Sequence, residues 1–131
     1  MAEDINVGAI SETLNNKAYL DLNNLPSNYD YVVQTYQSGT TWYRKYKSGW
    51  IEQGGLLSNT SSAAHTVTLP VAMKDTNYSL MVTLKANTVS GSGGSWVNGS
   101  IASTTQITIV QDYATTWVGQ GSYWVVAGYA A

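Results

Sequence analysis

The stretch Trp42-Tyr43-Arg44-Lys45-Tyr46-Lys47-Ser48-Gly49-Trp50-Ile51-Glu52-Gln53-Gly54-Gly55 decides the fold of this chain. Its pattern is that of a β-hairpin, in which an aromatic-rich strand, a Lys-Ser-Gly turn and a strand opening on Trp50 follow one another. Gly49 allows the positive φ that a tight hairpin turn needs. The Gly54-Gly55 pair predicts a break after the second strand.

Alternation of apolar and polar residues extends this pattern over the rest of the chain. Leu80 and Val82 alternate with Ser79, Met81 and Thr83, which is typical of a strand with one buried face. The predicted strands are Tyr31–Gln37, Thr41–Lys47, Trp50–Gln53, His65–Leu69, Tyr78–Ala86, Ile101–Val110 and Tyr123–Tyr129. With turns between them and no helical span, they predict an all-β, antiparallel β-sandwich over residues 29–131.

Residues 1–28 show a different period. Val7, Ile10 and Leu14 recur at the spacing of a short coiled-coil seam. Isolated helices below about 12–15 residues rarely persist in water, so this helical or linker segment is expected either to fray or to be supported by identical copies. A loose leader over residues 1–10 is the other interpretation.

Three groups of residues resemble the C-terminal tip domain of phage tail fibre proteins and of R-type tailocin fibres. They are the hairpin residues Tyr43–Lys45, Gly49-Trp50 and Glu52–Gly55, then Thr66–Pro70, then Gly128-Tyr129. The resemblance covers about residues 29–131, and the segment before it resembles the linker repeats that precede such tips. It implies a homotrimer that follows an upstream fibre shaft in a virion tail, assembled in the host cytoplasm and extracellular after release. The implied partner is a bacterial surface saccharide or outer-membrane receptor.

Charge is scarce in this chain. Lys and Arg number 6 and Asp and Glu number 8, so 11% of the residues are charged, against about 25% in typical domains. From Ala86 to Ala131 the only charged residue is Asp112. A net charge of −2 without a basic run argues against nucleic-acid binding. The chain also has no apolar stretch long enough to predict membrane insertion.

The residue types of a catalytic or metal site are sparse. The chain has one histidine and no cysteine, and Glu52, Asp75 and Asp112 are scattered. Nothing resembling a nucleophile motif surrounds a serine, and a glycosidase pair would have to combine Glu52 with Asp112. His65 is expected to be a hydrogen-bonded residue at a strand end; three copies converging on an axial ion is the alternative. The sequence therefore predicts no enzyme, no cofactor and no metal.

Two polar, aromatic-bearing regions are candidate receptor-binding sites, because flat rings can stack on sugars while amides and hydroxyls read their OH groups. The first combines Trp96 with Asn87, Ser95, Asn98 and Asn59. The second comprises Asp112, Tyr113, Thr115 and Trp117. Packing of either Trp inside the protein or against a neighbouring subunit is the alternative. If the strands form a simple meander, the loops Ser58–Ala64 and Asn87–Ser100 share one end, and Gln111–Ser122 lies at the other.

Three functions follow as hypotheses. The first is a distal receptor-binding domain of a phage tail fibre that attaches the virion to a host surface glycan. The second is a structural trimerisation cap that terminates the fibre without binding a receptor. The third is a free-standing carbohydrate-binding module.

Replacing Gly49 by Val tests the predicted hairpin. A β-branched residue at positive φ is strained, and the expected loss is about 1–3 kcal/mol in the free energy of unfolding. Denaturant unfolding of both proteins measures it, and receptor binding should persist below the new midpoint. A fully stable variant that no longer binds would make this hairpin part of the site instead of the scaffold.

Overall fold

The computed structural model describes residues 29–58, 61–85, 94–112 and 121–131; the predicted N-terminal segment, residues 1–28, lies outside them. The described strands are β1 (Val32–Ser38), β2 (Thr41–Tyr46), β3 (Trp50–Ser58), β4 (His65–Thr68), β5 (Ser79–Lys85), β6 (Trp96–Ile101), β7 (Gln106–Asp112) and β8 (Gly121–Tyr129). In these ranges the protein is all-β, which confirms the predicted class. No helix long and apolar enough for a membrane span occurs in them.

The strands form two antiparallel sheets. The large sheet has five strands in the order β1-β2-β3-β8-β5, and the small sheet has three in the order β4-β7-β6. Side chains from the strands and from the segments between them form one core, which consists of Ile51, Leu69, Met73, Tyr78, Ile107, Ile109, Trp124 and Val126. This core holds the two sheets together as a sandwich, as the alternation predicted.

The predicted hairpin is present as β2 and β3, and its second strand is longer than expected. Gly49 has a φ of 89°, which confirms the predicted turn geometry. The prediction of a break at Gly54-Gly55 was wrong, because β3 runs on to Ser58 and pairs along its whole length with β8. These glycines are required by packing: a Cβ on Gly54 would lie 2.7 Å from the Trp124 carbonyl oxygen, and one on Gly55 would lie 3.0 Å from the Trp124 ring.

The side-chain amide of Gln53 joins the large sheet to the segment that follows β4. It is fully buried; its Nε2 donates to the Val71 carbonyl oxygen at 2.8 Å, and its Oε1 accepts from the Val71 N–H at 2.9 Å. The amide thus bonds to the backbone as a neighbouring strand would. A buried amide is costly unless it is hydrogen-bonded, so this pairing fixes the path of the chain after Pro70.

The prediction of one strand over Ile101–Val110 was wrong, because this range contains the last residue of β6, a turn and most of β7. β6 ends at Ile101 and β7 begins at Gln106, and the two pair in register from Trp96 opposite Asp112 to Ile101 opposite Ile107. The run of serine and threonine at 103–105 forms the turn between them; the Thr105 N–H bonds to the Ser103 hydroxyl. This added reversal changes the direction of every strand that follows.

The extra reversal also overturns the meander count. The turn at 102–105 lies beside Met73 and Tyr78, since the Met73 N–H donates to Thr104 and the Tyr78 hydroxyl to Ser103. We call this end, where Tyr129 also lies, the base. Trp96 and Asp112 therefore lie at the opposite end, with Ser58, Lys85 and Gly121 of the large sheet; we call it the loop end. Both candidate binding regions begin there, so placing Gln111–Ser122 at the other end was wrong.

Gly54→Ala is expected to destabilise the sandwich. The added methyl would overlap the Trp124 carbonyl and the Trp42 ring, which lies 2.9 Å from the Cβ position, and overpacking of this kind costs about 1–3 kcal/mol. Gly94→Ala is the matched control, because nothing lies within 4 Å of its Cβ position. Thermal unfolding should separate the two variants, and equal melting temperatures would contradict this account of the glycine pair.

Candidate receptor-binding face

Trp96 lies at the first position of β6, not on a loop as the sequence predicted. Its neighbours along the strand alternate: Asn98 and Ser100 are exposed, while Val97 and Gly99 are half-buried. Gly99 faces inward, where a Cβ would lie 2.9 Å from Val82 of the large sheet. Trp96, Asn98 and Ser100 therefore line the outward side of the small sheet, and Trp96 is 47% exposed.

Asp112 lies directly opposite Trp96 in the β6–β7 pairing. Side chains of directly opposed residues have Cβ atoms about 4.5–5.5 Å apart and stand on the same side of the sheet. The neighbouring Gln111 is buried, so Asp112 is on the outward side with Trp96. The structure thus brings Trp96 of one predicted site next to Asp112 of the rival site.

Apart from Val110, which pairs with Asn98, the rest of the outward side of the small sheet is built from hydroxyl and amide side chains, and we call it the polar face. Its outward positions are Thr66, Thr68, Trp96, Asn98, Ser100, Gln106, Thr108, Val110 and Asp112. Asp112 carries the only charge among them. This surface offers hydrogen-bond donors and acceptors in rows, one aromatic ring and one carboxylate at the loop end.

Sequence reasoning placed some residues here and missed others. Ser95 is exposed next to Trp96, as part of the same group. Ser100 and Thr108, which are paired in register, were not predicted to belong to the site. The period-two pattern of Trp96-Val97-Asn98-Gly99-Ser100 would have identified the strand, but the preceding run of serine and glycine suggested a loop. Five predicted site residues lie outside the described ranges: Asn59, Asn87, Tyr113, Thr115 and Trp117.

Beneath the polar face, Gln111 and Ser122 connect the two sheets at the loop end. Both are fully buried, and the Ser122 hydroxyl donates to Gln111 Oε1. Gln111 Nε2 is buried and finds no partner among the described residues. Because Gln111 lies near the end of β7 and Ser122 near the start of β8, this bond holds those two strand ends together.

The described residues contain little that resembles a reactive centre. No group of three or more His, Asp or Glu side chains within the described ranges is arranged to hold a metal ion. His65 begins β4, and its Nε2 lies 3.2 Å from the Ser61 hydroxyl, as expected for a hydrogen-bonded residue at a strand end. Glu52 Oε2 lies 3.5 Å from the Tyr46 hydroxyl. Burial raises the pKa of Tyr78, whose hydroxyl donates to the Ser103 carbonyl oxygen at 2.7 Å, at the base and not in the polar face.

A groove lies between β1–β2 and the end of β4, and it borders the polar face at Thr68. Its volume is about 470 Å³, and it is lined by Tyr36, Thr41, Tyr43, Thr68, Leu69 and Pro70. Tyr36 and Tyr43 stack with ring centroids 5.2 Å apart, and Tyr36 is 46% exposed. Tyr36 therefore provides a second exposed ring with which Trp96 can be compared.

The chain was compared with known proteins in three ways. Residues 45–129 match the family model described as "Putative tail fiber protein gp53-like, C-terminal". The solved structure of an N-truncated R2-type pyocin tail fibre matches with a TM-score of 0.56 and 17% identity, over 75% of this chain and 39% of that chain. This chain thus spans about two fifths of that fibre chain, and at such identity the match shows a shared fold. The search of curated proteins found no match.

Proposed function

Because the chain belongs to the family of gp53-like tail fibre C-terminal domains, we propose that it is the receptor-binding tip of a phage or phage-like tail fibre. Family membership implies a place in the tail of such a particle, assembly with other chains and a non-enzymatic role. We further propose that the tip attaches the particle to a saccharide on the bacterial surface. The fibre would be assembled in the producing cell and act outside it after release.

The observation that carries this proposal is the pairing of Trp96 with Asp112 at the loop end of the polar face. An indole ring offers a flat apolar surface to the C–H groups of a sugar, while a carboxylate is a strong acceptor for its hydroxyl groups. Asn98, two residues along β6 on the same side, adds an amide that both donates and accepts. This combination suits a neutral or weakly charged saccharide, because binding such a ligand does not require long-range electrostatic attraction.

Assembly from identical copies would strengthen such a site. Single sugar contacts are weak, but three linked sites raise the effective concentration and can increase avidity by about 10²–10⁴. We propose a homotrimer that presents three loop ends to the cell surface. Residues in the neighbouring segments, including Asn59, Asn87 and Tyr113, belong to the proposed site as further candidates, with Thr115 and Trp117.

The full chain is expected to be a trimer in solution. Light scattering at micromolar concentration should give three times the chain mass of 14.1 kDa. Deleting residues 1–25 should weaken the trimer while the β-domain stays folded, because every described core residue lies at or after Ile51. A monomer mass for the intact chain would contradict the proposed assembly.

Trp96→Ala is expected to abolish adsorption to host cells and leave the melting temperature nearly unchanged. The ring is half-exposed at a strand end, so its removal opens no core cavity. Tyr36→Ala is the matched control, since it removes another half-exposed ring outside the polar face. Pull-down with cells or with purified surface saccharide measures the difference, and Asp112→Asn should weaken binding in the same assay.

The outcomes separate the rival functions. Normal adsorption of Trp96→Ala together with loss in Tyr36→Ala would move the ligand from the polar face to the groove. A lack of adsorption by the unaltered chain would favour the structural cap. Adsorption that both variants retain would place the ligand outside both the polar face and the groove. Binding to cells but not to any purified saccharide would favour an outer-membrane protein as receptor. A monomer that still binds saccharide would favour the free-standing module.

A further inference from the structure

The outward side of the large sheet, which we call the outer face, carries an apolar band along its interior strand β8, where an exposed antiparallel sheet is ordinarily polar. Beside this band, Ser79, Thr83 and Lys85 of β5 are polar outward positions. β8 lies between β3 and β5, so it is an interior strand. Its inward positions include Trp124 and Val126, which are buried in the core. Its outward positions are Tyr123, Val125, Ala127 and Tyr129, and none of them is charged. A strand that is apolar on both sides is typical of a sheet covered on both sides.

The apolar character extends across neighbouring strands. Met81 of β5 pairs with Val125, Val125 pairs with Gly54, and Gly54 pairs with Trp42 of β2, giving one row across four strands. Met81 is 55% exposed, Tyr123 45% and Tyr129 53%. Large apolar side chains are therefore left open together on one surface, which is uncommon for a protein that acts alone.

The small sheet provides an internal comparison. Its outward positions follow the ordinary rule, with Thr66, Ser100 and Thr108 paired side by side. The two open sides of the same sandwich therefore differ in chemistry. The polar face suits water and a hydrated ligand, whereas the outer face suits another protein surface.

We infer that the outer face is the surface through which copies of this chain pack against one another. This inference rests on the homotrimer of the proposed function, and it adds which side of the domain forms the contact between copies. In a three-fold assembly every copy presents the same surfaces to its neighbours, so one apolar sheet side per copy can enclose a shared core around the axis.

The size of the outer face fits this occupant. Five strands about 4.8 Å apart and roughly seven residues of about 3.4 Å each give a projected area of about 500–600 Å². Side chains standing on it increase the accessible area toward the roughly 800 Å² that each partner contributes to a standard interface. Arg44 and Glu52 pair on this side, so both signs of charge lie at the edge of the apolar row and can match a neighbouring copy.

Met81→Glu tests the inferred interface in the full chain. A carboxylate within an apolar contact is costly to bury, so this variant should run as a monomer in light scattering. Its far-ultraviolet circular dichroism should stay that of the parent, since Met81 is exposed within one copy. Ser100→Glu, on the polar face, is the control and should remain a trimer. A Met81→Glu variant with trimer mass would overturn the inference.

A second measurement does not depend on a disruptive charge. Because the chain contains no cysteine, single Met81→Cys and Ser100→Cys variants each carry one reporter thiol. Maleimide should react at least about tenfold more slowly with the Met81→Cys thiol than with the Ser100→Cys thiol in the assembled protein, and at equal rates in denaturant, since protection reports burial. Equal rates in an assembled trimer would overturn the inferred face.

These results are distinct from those that test receptor binding. If the unaltered chain is a monomer, the proposed trimer and this interface both fail, whatever the outcome of adsorption. If the unaltered chain is a trimer and Met81→Glu a monomer, the interface stands even when Trp96→Ala adsorbs normally. If Met81→Glu stays trimeric while Trp96→Ala loses adsorption, the receptor site stands and the interface fails.

Discussion

The side-chain amide of Gln53 bonds to both backbone groups of Val71, and the rest of the sandwich depends on that pairing. It joins an interior strand of the large sheet to the segment that leaves the small sheet. Removing the amide would leave a buried N–H and a buried carbonyl without partners, at a cost of about 1–3 kcal/mol for each group. The glycines that follow Gln53 let Trp124 pack closely against β3, so the same short motif fixes the sheet pairing as well as the link between sheets.

The three motifs that carry the family resemblance meet around this link. Thr66–Pro70 leads directly into Val71, which Gln53 holds. Gly128 leaves room for Tyr78 and Met73, which approach its Cβ position to 2.8 and 2.9 Å. Tyr129 contacts the edge of Trp50 at a centroid distance of 5.3 Å. Thr66 and Thr68 of these motifs face outward on the polar face, whereas Val71, Gly128 and Tyr129 lie in or near the core and the base. The motifs therefore specify the scaffold, and the ligand must be inferred from the residues that the scaffold leaves at its polar face.

Local patterns predicted the strands well, and non-local pairing could not be predicted. Alternation identified β5 with its inward Leu80 and Val82, and Gly49 identified the hairpin turn, because both signals lie within a few residues. The prediction of a break at Gly54-Gly55 was wrong, because glycine is needed there for close packing against Trp124, which is distant in the sequence. Likewise, β8 inserts between β3 and β5, and no local feature reveals such an order.

The candidate site illustrates the same division. Its residue types were recognised from composition, because aromatic and amide side chains in a charge-poor region are a local property. Its geometry was missed, because a single unrecognised turn at 102–105 separates β6 from β7 and places Asp112 opposite Trp96. Trp96 and Asp112, which the sequence assigns to rival regions, are cross-strand neighbours in the fold. The strand count had placed them at opposite ends of the domain.

The two open sides of the sandwich differ in chemistry, so the proposed ligand binding and the proposed contact between copies can use different sheets. A side chain in a strand points to one face only, so β8 can present Tyr123 and Val125 outward without altering the core positions of Trp124 and Val126. The polar face of the small sheet is built on different strands and touches none of those outward positions. Assembly through the outer face would therefore leave Trp96 and Asp112 accessible at the loop end. With that separation, the side chains of the proposed ligand site could vary without loss of the fold or of the proposed contact between copies.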